Sequence, residues 1–68
     1  MIEITVNGKI ETIGQKWTIH TYLESLGLQH RKAIAVALNG EVVPREVFSK
    51  TKISFGDRLE IVRAIGGG

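Results

Sequence analysis

The stretch TIHTYLESLGL, residues 18–28, predicts the single main helix of the fold. Thr18 has the hydroxyl group that can cap a first turn, and Gly27 suits the left-handed residue that ends many helices. Between them the apolar residues recur at the spacing that places side chains on one helix face; they are Ile19, Tyr22, Leu23 and Leu26. We therefore expect a helix whose two ends are both specified locally.

Apolar residues just outside the helix should fix its ends. Trp17 precedes the cap and Tyr22 follows it by one turn, which are the positions of a hydrophobic staple. Leu28 can fold back on Leu23 after the glycine stop. We interpret both aromatic residues as packing residues rather than as part of a binding site.

Strand patterns precede the helix. Residues 2–6 (IEITV) alternate apolar and polar side chains, and Asn7-Gly8 has the composition of a tight hairpin turn. The return strand is less regular, because Ile10 and Ile13 lie three positions apart and cannot share one face of a regular strand. The pattern therefore predicts a bulge or an early strand end there.

Further strands follow the helix. Residues 33–38 (AIAVAL) are apolar on both parities, as in an interior strand, and their alanine face leaves room for something to pack. Asn39-Gly40 turns the chain into a short strand over residues 41–43, which Pro44 ends because proline lacks a ladder donor. Residues 45–48 predict a brief helical turn.

The last strand completes an α+β pattern. Leu59 and Ile61 alternate with charged residues, and the strand should run to about Arg63. One helix laid across a mixed sheet is the economical packing for this element order, in a single domain over residues 1–65 with a tail over residues 66–68. The core between helix and sheet is predicted to contain Ile4, Leu23, Leu26, Val36, Leu59 and Ile61.

The length and amino-acid composition of the chain exclude several classes of function. A chain of 68 residues needs its apolar surface for one core, which weighs against an enclosed substrate pocket and an autonomous enzyme. The absence of cysteine removes disulfides and thiolate metal sites and favours a reducing, cytoplasmic location. The two histidines, His20 and His30, lack metal-ligand spacing, so no metal is expected. Neither a signal peptide nor a membrane span is predicted.

Charge argues against a nucleic-acid partner. Nine Lys and Arg against seven Asp and Glu give a net charge of +2. The basic run at residues 30–32 is short, and no row of aromatic residues accompanies it. We therefore expect no nucleic-acid binding.

The glycine tail is the one reactive feature that the sequence offers. Gly66, Gly67 and Gly68 follow directly on a strand, and Gly68 carries the α-carboxylate. Glycine lacks a Cβ, so this tail can pass through a channel too narrow for side chains. A carboxylate becomes reactive when one of its oxygens is bonded to the α-phosphate of ATP in an acyl-adenylate. A partner would therefore supply ATP and Mg²⁺. A frayed end is the alternative.

Four segments resemble the ThiS family, the sulfur carriers of thiamine biosynthesis. They are Ile2 to Gly8 (IEITVNG), Thr18 to Leu26, Leu38 to Arg45 (LNGEVVPR) and Gly56 to Gly68 (GDRLEIVRAIGGG). The resemblance implies a ubiquitin-like β-grasp fold, in which a mixed sheet wraps one helix and a flexible Gly-Gly end projects from the final strand. Trp17 departs from the family pattern, which has a smaller or polar residue there.

The resemblance also implies a reaction and partners. A ThiF-type adenylyltransferase would adenylate Gly68, with Gly66 and Gly67 as its flexible neighbours. A persulfide donor, a cysteine desulfurase or a related protein, would then convert the terminus to a thiocarboxylate. Thiazole synthase would receive the sulfur. Two alternatives stay open: a carrier of another pathway, such as the small subunit of molybdopterin synthase, and a ubiquitin-like protein modifier.

Docking residues are predicted beside the tail. Val62 and Ala64 fall on the parity opposite to the core residues of the last strand, and Ile65 lies beyond the strand's end. A helix covers only one face of a sheet, so these apolar residues should be exposed and available to partners. Arg63 and Arg45 are expected to steer acidic partner surfaces.

Overall fold

The computed structural model describes residues 1–63. One helix, α1 (Ile19–Ser25), accompanies five strands, and the order of the elements is the predicted one. The strands are β1 (Ile2–Val6), β2 (Lys9–Ile13), β3 (Ile34–Leu38), β4 (Glu41–Val43) and β5 (Arg58–Arg63). The predicted helical turn is a 3₁₀ helix over Arg45–Lys50. The predicted boundary between residues 65 and 66 lies outside the described residues.

The five strands form one mixed sheet in the order β2-β1-β5-β3-β4. β1 and β5 run parallel, with Val6 beside Leu59, and the other neighbours are antiparallel. The last strand is therefore the middle strand, and α1 packs on one face of the sheet. This arrangement is the predicted β-grasp fold. Neither helix in the described residues has the length and apolar character that crossing a bilayer requires.

The N-terminal end of α1 is fixed as the sequence predicts. The backbone N–H of Thr21 donates to the Thr18 hydroxyl oxygen at 3.1 Å, which satisfies one of the first-turn donors. The rings of Trp17 and Tyr22 lie 6.3 Å apart in a tilted arrangement, which is the predicted staple. The indole lies directly against Gly14, where an added Cβ would clash with the Trp17 Nε1 atom. The large residue at position 17 thus depends on the small residue at position 14.

The C-terminal end of α1 corrects one core prediction. Gly27 has a φ of +73°, and the N–H of Leu28 donates to the carbonyl of Leu23 at 2.8 Å, as in a Schellman motif. Leu28 is buried by this turn. Leu26, which was predicted in the core, is 48% exposed, because the helix ends at Ser25 and the cap residue turns outward.

The predicted irregularity in β2 is wrong. All five residues of β2 pair with β1 in one continuous register, from Ile2 opposite Ile13 to Val6 opposite Lys9. Ile10 and Ile13 do face opposite sides, but the strand stays regular because Ile10 is left 72% exposed on the uncovered face. An edge strand of this kind tolerates an apolar residue in water.

The core lies between α1 and the sheet. Of the six predicted core residues, Ile4, Leu23, Val36 and Leu59 are buried, and Ile61 is partly buried against them. Two further core residues come from the segment between β4 and β5: Phe48 lies in the 3₁₀ helix, and Ile53 follows it in irregular structure. The remaining buried hydrophobic residues are Ile13, Ile19, Tyr22 and Leu28.

Candidate functional site

The structure describes the beginning of the predicted site. Val62 and Arg63 are the last residues of β5, and Arg45 is the first residue of the 3₁₀ helix. Ala64, Ile65 and the three tail glycines Gly66, Gly67 and Gly68 lie outside the described residues, so their predicted roles stay predictions. We call residues 61–63 the tail root.

The two sides of β5 differ at the tail root. Leu59 is fully buried and Ile61 is partly buried on the side that faces α1. Val62 points to the opposite face and is 65% exposed, as the strand parity predicts. Arg63 is exposed but shares the parity of Ile61. The two predicted docking residues on β5 that the structure describes, Val62 and Arg63, therefore lie on opposite faces of the sheet.

Val62 belongs to an apolar surface on the uncovered face. Strand register places Ala35 opposite Val62, and Ala37 opposite Val42. These four residues, which we call the open-face patch, line a groove of about 180 Å³ together with Val36 and Glu60. The short alanine side chains form the floor of the groove and the two valines rise beside it. Exposed apolar patches of this kind often mark protein interaction sites.

Val42 belongs to this surface although the sequence did not predict it there. It is 76% exposed, and only its pairing with Ala37 shows that it lies on the same face as Val62. The Asn39-Gly40 turn was the available signal, since a two-residue hairpin turn fixes which residues of the two strands pair. The alanine face of β3, by contrast, was predicted to leave room for a packing partner.

A second groove lies on the helix side of the tail root. It has a volume of about 230 Å³, and Arg63 and Ile61 form one wall of it. The remaining lining residues are Val6, Asn7, Leu26 and Leu28. The exposed side chain of Leu26 thus borders this groove instead of filling the core. The tail root is therefore flanked by a groove on each face of the sheet, and the groove on the helix side has both polar and apolar lining residues.

Arg45 has a structural contact that the sequence did not indicate. Its Nη2 atom donates to the backbone carbonyls of Arg31 and Lys32, at 2.7 and 2.9 Å, and its guanidinium lies 5.8 Å from the centre of the Phe48 ring. These bonds hold the loop that leads into β3, whose first residue is opposite Arg63. Several cationic residues are thereby collected at the end of the sheet where the tail begins.

The basic run at residues 30–32 belongs to a larger cationic cluster in the folded chain, which also contains Arg45 and Arg63. In the sequence the run was short and isolated, but the fold brings Arg31 and Lys32 to the same sheet end as Arg63. The net charge of +2 conceals this local concentration. Local positive charge of this kind speeds association with an acidic surface.

This chain is similar to known proteins in both sequence and structure. The model of the ThiS family matches residues 2–68. Sulfur carrier protein ThiS of Escherichia coli is 30% identical over 67 residues, which cover 98% of this chain and 100% of that protein. The crystal structure of the thiamine biosynthesis protein ThiS from Geobacter metallireducens superimposes with a TM-score of 0.83 at 35% identity, and the match covers 98% of this chain and 100% of that one.

A longer relative is also similar. The thiazole synthase of Paramagnetospirillum magneticum is 36% identical over 67 residues, which cover 98% of this chain. This chain spans 20% of the length of that protein. The sheet order, the single packed helix and the family match from residue 2 through Gly68 agree with one another. The chain belongs to the ThiS family.

Proposed function

We propose that this chain is a sulfur carrier protein of thiamine biosynthesis and that it acts as a co-substrate rather than as an enzyme. The observation that carries the proposal is the family match, which continues through Gly68 and so includes the whole glycine tail. The match to the Escherichia coli sulfur carrier, which takes in all of that protein, supports the same function. The absence of cysteine agrees with a carrier that holds sulfur on a carbonyl carbon, and favours the cytoplasm as its location.

The chemistry is proposed at the carboxylate of Gly68. A carboxylate oxygen attacks the α-phosphate of ATP, an acyl-adenylate forms and pyrophosphate leaves. A persulfide sulfur then attacks the carbonyl carbon and AMP leaves, which gives an acyl disulfide. A thiol of a partner protein attacks the donor's sulfur of this S–S bond, so that the thiocarboxylate leaves and the thiol and the donor sulfur end as a disulfide. ATP and Mg²⁺ are bound by a ThiF-type adenylyltransferase, and this chain binds no cofactor of its own. Gly66 and Gly67 let the terminus enter that enzyme's active site.

Thiazole synthase is the proposed sulfur acceptor. The support is the Paramagnetospirillum magneticum relative, a thiazole synthase that contains a region similar to nearly the whole of this chain. A region similar to this chain within a thiazole synthase supports a common pathway for the two. The persulfide donor, a cysteine desulfurase or a related protein, is proposed from the chemistry of the thiocarboxylate.

The surfaces of the tail root suit such docking. The open-face patch supplies exposed apolar area beside the start of the tail, where Val62 is 65% exposed. Ala64 and Ile65 are proposed to extend the same surface, and Arg63 is proposed to contact the partner's rim. Because the activating enzyme and the acceptor must both bind the tail, we propose that they use the same surface in turn.

A tail deletion tests the proposal. We predict that removing Gly67 and Gly68 abolishes ATP–pyrophosphate exchange by the adenylyltransferase, because the reacting carboxylate is displaced. The circular dichroism spectrum should be unchanged, since the described core lies within residues 1–63. Gly66→Ala is the matched control, because it keeps the last two glycines, and it should retain exchange.

Two outcomes would contradict the proposal. Exchange that persists after the deletion would exclude Gly68 as the adenylated residue. Whole-protein mass spectrometry of the chain from its native cells gives the second test, because a carrier should show a terminal oxygen replaced by sulfur. Amide conjugates to lysines of other proteins, without any sulfur form, would identify a protein modifier instead.

A further inference from the structure

The two Asn-Gly turns share a feature beyond turning the chain. Asn7 and Asn39 both have positive φ angles, +49° and +52°, which asparagine tolerates better than most residues. One turn joins β1 to β2 and the other joins β3 to β4. In both turns the asparagine side chain reaches across to β5, the strand that neither turn belongs to. The final strand is therefore held by asparagine amides at its first residue, Arg58, and at Ile61 in its second half.

Asn7 binds β5 at the tail root. Its Oδ1 atom accepts from the N–H of Ile61 at 2.8 Å, and its Nδ2 atom donates to the carbonyl of Ile61 at 3.2 Å. One side chain thus satisfies both backbone groups that Ile61 directs toward β1. Regular pairing of β1 with β5 ends at Val6 beside Leu59. The Asn7 amide therefore extends the ladder past the end of β1.

Asn39 makes the equivalent contact at the opposite end of β5. The Asn39 Oδ1 atom accepts from the backbone N–H of Arg58 at 2.9 Å, and the backbone N–H of Asn39 donates to the Arg58 carbonyl at 2.7 Å. Its Nδ2 atom donates to Asp57 at 3.1 Å. Arg58 is the first residue of β5, so this contact is remote from the tail. The two asparagines resemble each other in chemistry and differ in position.

We propose that Asn7 is a positioning residue of the carrier reaction, which fixes the tail root so that the tail starts from one defined point. This inference rests on the proposed carrier function. On the β3 side, β5 is paired as far as Arg63, opposite Ile34. On the β1 side, the Asn7 amide supplies the bonds beyond Leu59. Without them residues 60–63 are held from one side, and docking must order them.

The expected loss in affinity follows from the entropy that is lost when docking orders residues 60–63. Fixing the backbone of one residue costs on the order of a tenfold loss in affinity. Residues 60–63 keep their β3 neighbour, so loss of the Asn7 contacts should free about one residue's worth of motion rather than the whole segment. The change should appear in the binding of the carrier and not in the chemical step, because Asn7 contacts Ile61, which precedes the reacting residue Gly68 by seven positions.

A matched pair of variants tests the proposal. Asn7→Gly and Asn39→Gly each keep a residue that accepts positive φ, and each removes an amide that makes two side-chain hydrogen bonds. Steady-state adenylation of the full chain is measured with the ThiF-type enzyme at saturating ATP. Asn7→Gly should raise the KM for the carrier about tenfold and leave kcat within about twofold. Asn39→Gly should leave both within about twofold.

Two further measurements separate positioning from general stability. Urea unfolding should show that both glycine variants stay folded under assay conditions. Amide hydrogen exchange of Ile61 should accelerate in Asn7→Gly and stay as in the wild type in Asn39→Gly. Asn7→Asp keeps the acceptor for the Ile61 N–H but loses the donor, so its KM should fall between those of the wild type and Asn7→Gly. It also serves as the test variant if Asn7→Gly does not fold.

The outcomes distinguish the inference from the function on which it rests. A wild-type chain that the adenylyltransferase cannot use as a substrate would overturn the proposed function. A wild-type substrate whose two glycine variants have equal KM values would overturn the role of Asn7 alone. A fall in kcat without a rise in KM would also overturn it, since that would place Asn7 in the chemical step.

Discussion

The two faces of β5 show how one strand serves two purposes. Leu59 faces α1 and is 0% exposed, whereas Val62, three positions later, faces away from α1 and is 65% exposed. Both are aliphatic, so hydrophobicity does not determine which one is buried; the position of α1 does. The covered face supplies stability, and the open face is the surface that we propose for partners. The same division separates Val36 from Val42 on the neighbouring strands.

The largest expected difference between the faces is in stability. Leu59→Ala should lower the free energy of unfolding by ~2–5 kcal/mol, because it opens a cavity in a core that a small domain cannot spare. Val62→Ala is the matched control and should change it by less than about 0.5 kcal/mol. Urea denaturation of both variants measures the difference. Equal losses would mean that the open face is covered in the folded chain.

Local sequence was sufficient to predict most of the elements. The cap at Thr18, the stop at Gly27 and the two Asn-Gly turns act over a few residues, so they can be read without knowledge of the fold. The parity of β5 was predicted in the same way, including the exposure of Val62. The predictions of these features are correct because neighbouring residues determine them.

The errors and omissions depend on tertiary context. Leu26 fits the helical period but follows the last helical residue, so it turns outward, and Leu28 fills the core instead. Ile53 is buried although its segment has no periodicity. The bond from Asn7 to Ile61 joins residues 54 positions apart, and no local pattern encodes such a separation. At the tail root the exposure of Val62 was therefore predicted from local sequence, whereas the contact of Asn7 with Ile61 was not.

A smaller effect is expected when charge is placed on the open face. Val62→Asp should weaken the complex with the activating enzyme about tenfold or more at any salt concentration, because a desolvated carboxylate would replace an apolar contact. Ile10→Asp is the matched control: Ile10 is exposed on the same face but lies on the edge strand β2. Isothermal titration measures both affinities. Wild-type affinity of Val62→Asp would move the interface away from the open-face patch.

A weaker and salt-dependent effect is expected for Arg63. Rim charges act mainly on the association rate, so Arg63→Glu should slow binding severalfold at low salt and much less at high salt. Stopped-flow mixing at two ionic strengths measures the rates. Arg45→Glu should differ by also lowering stability, because it removes the bonds to the Arg31 and Lys32 carbonyls. A salt-independent loss for Arg63→Glu would indicate a buried contact instead of steering.

The smallest effect concerns an ionisable group on the covered face. Burial raises the pKa of Tyr22 above its ordinary value, and the negative charge of Glu11 adds to the rise. The unfolded chain therefore loses the tyrosine proton at a lower pH than the folded chain does. The stabilising contribution is complete below the unfolded pKa of about 10 and is lost as pH rises through the folded pKa.

Tyr22→Phe removes this dependence while it keeps the ring that packs against Trp17. The free energy of unfolding of the wild type should fall more steeply above about pH 10 than that of Tyr22→Phe. Glu11→Gln should reduce the steepness only in part, because burial is the larger cause. Urea unfolding between about pH 8 and 11 measures all three slopes. Parallel curves for the wild type and Tyr22→Phe would show that water reaches the hydroxyl, so that the cover that α1 provides is incomplete at its first turn.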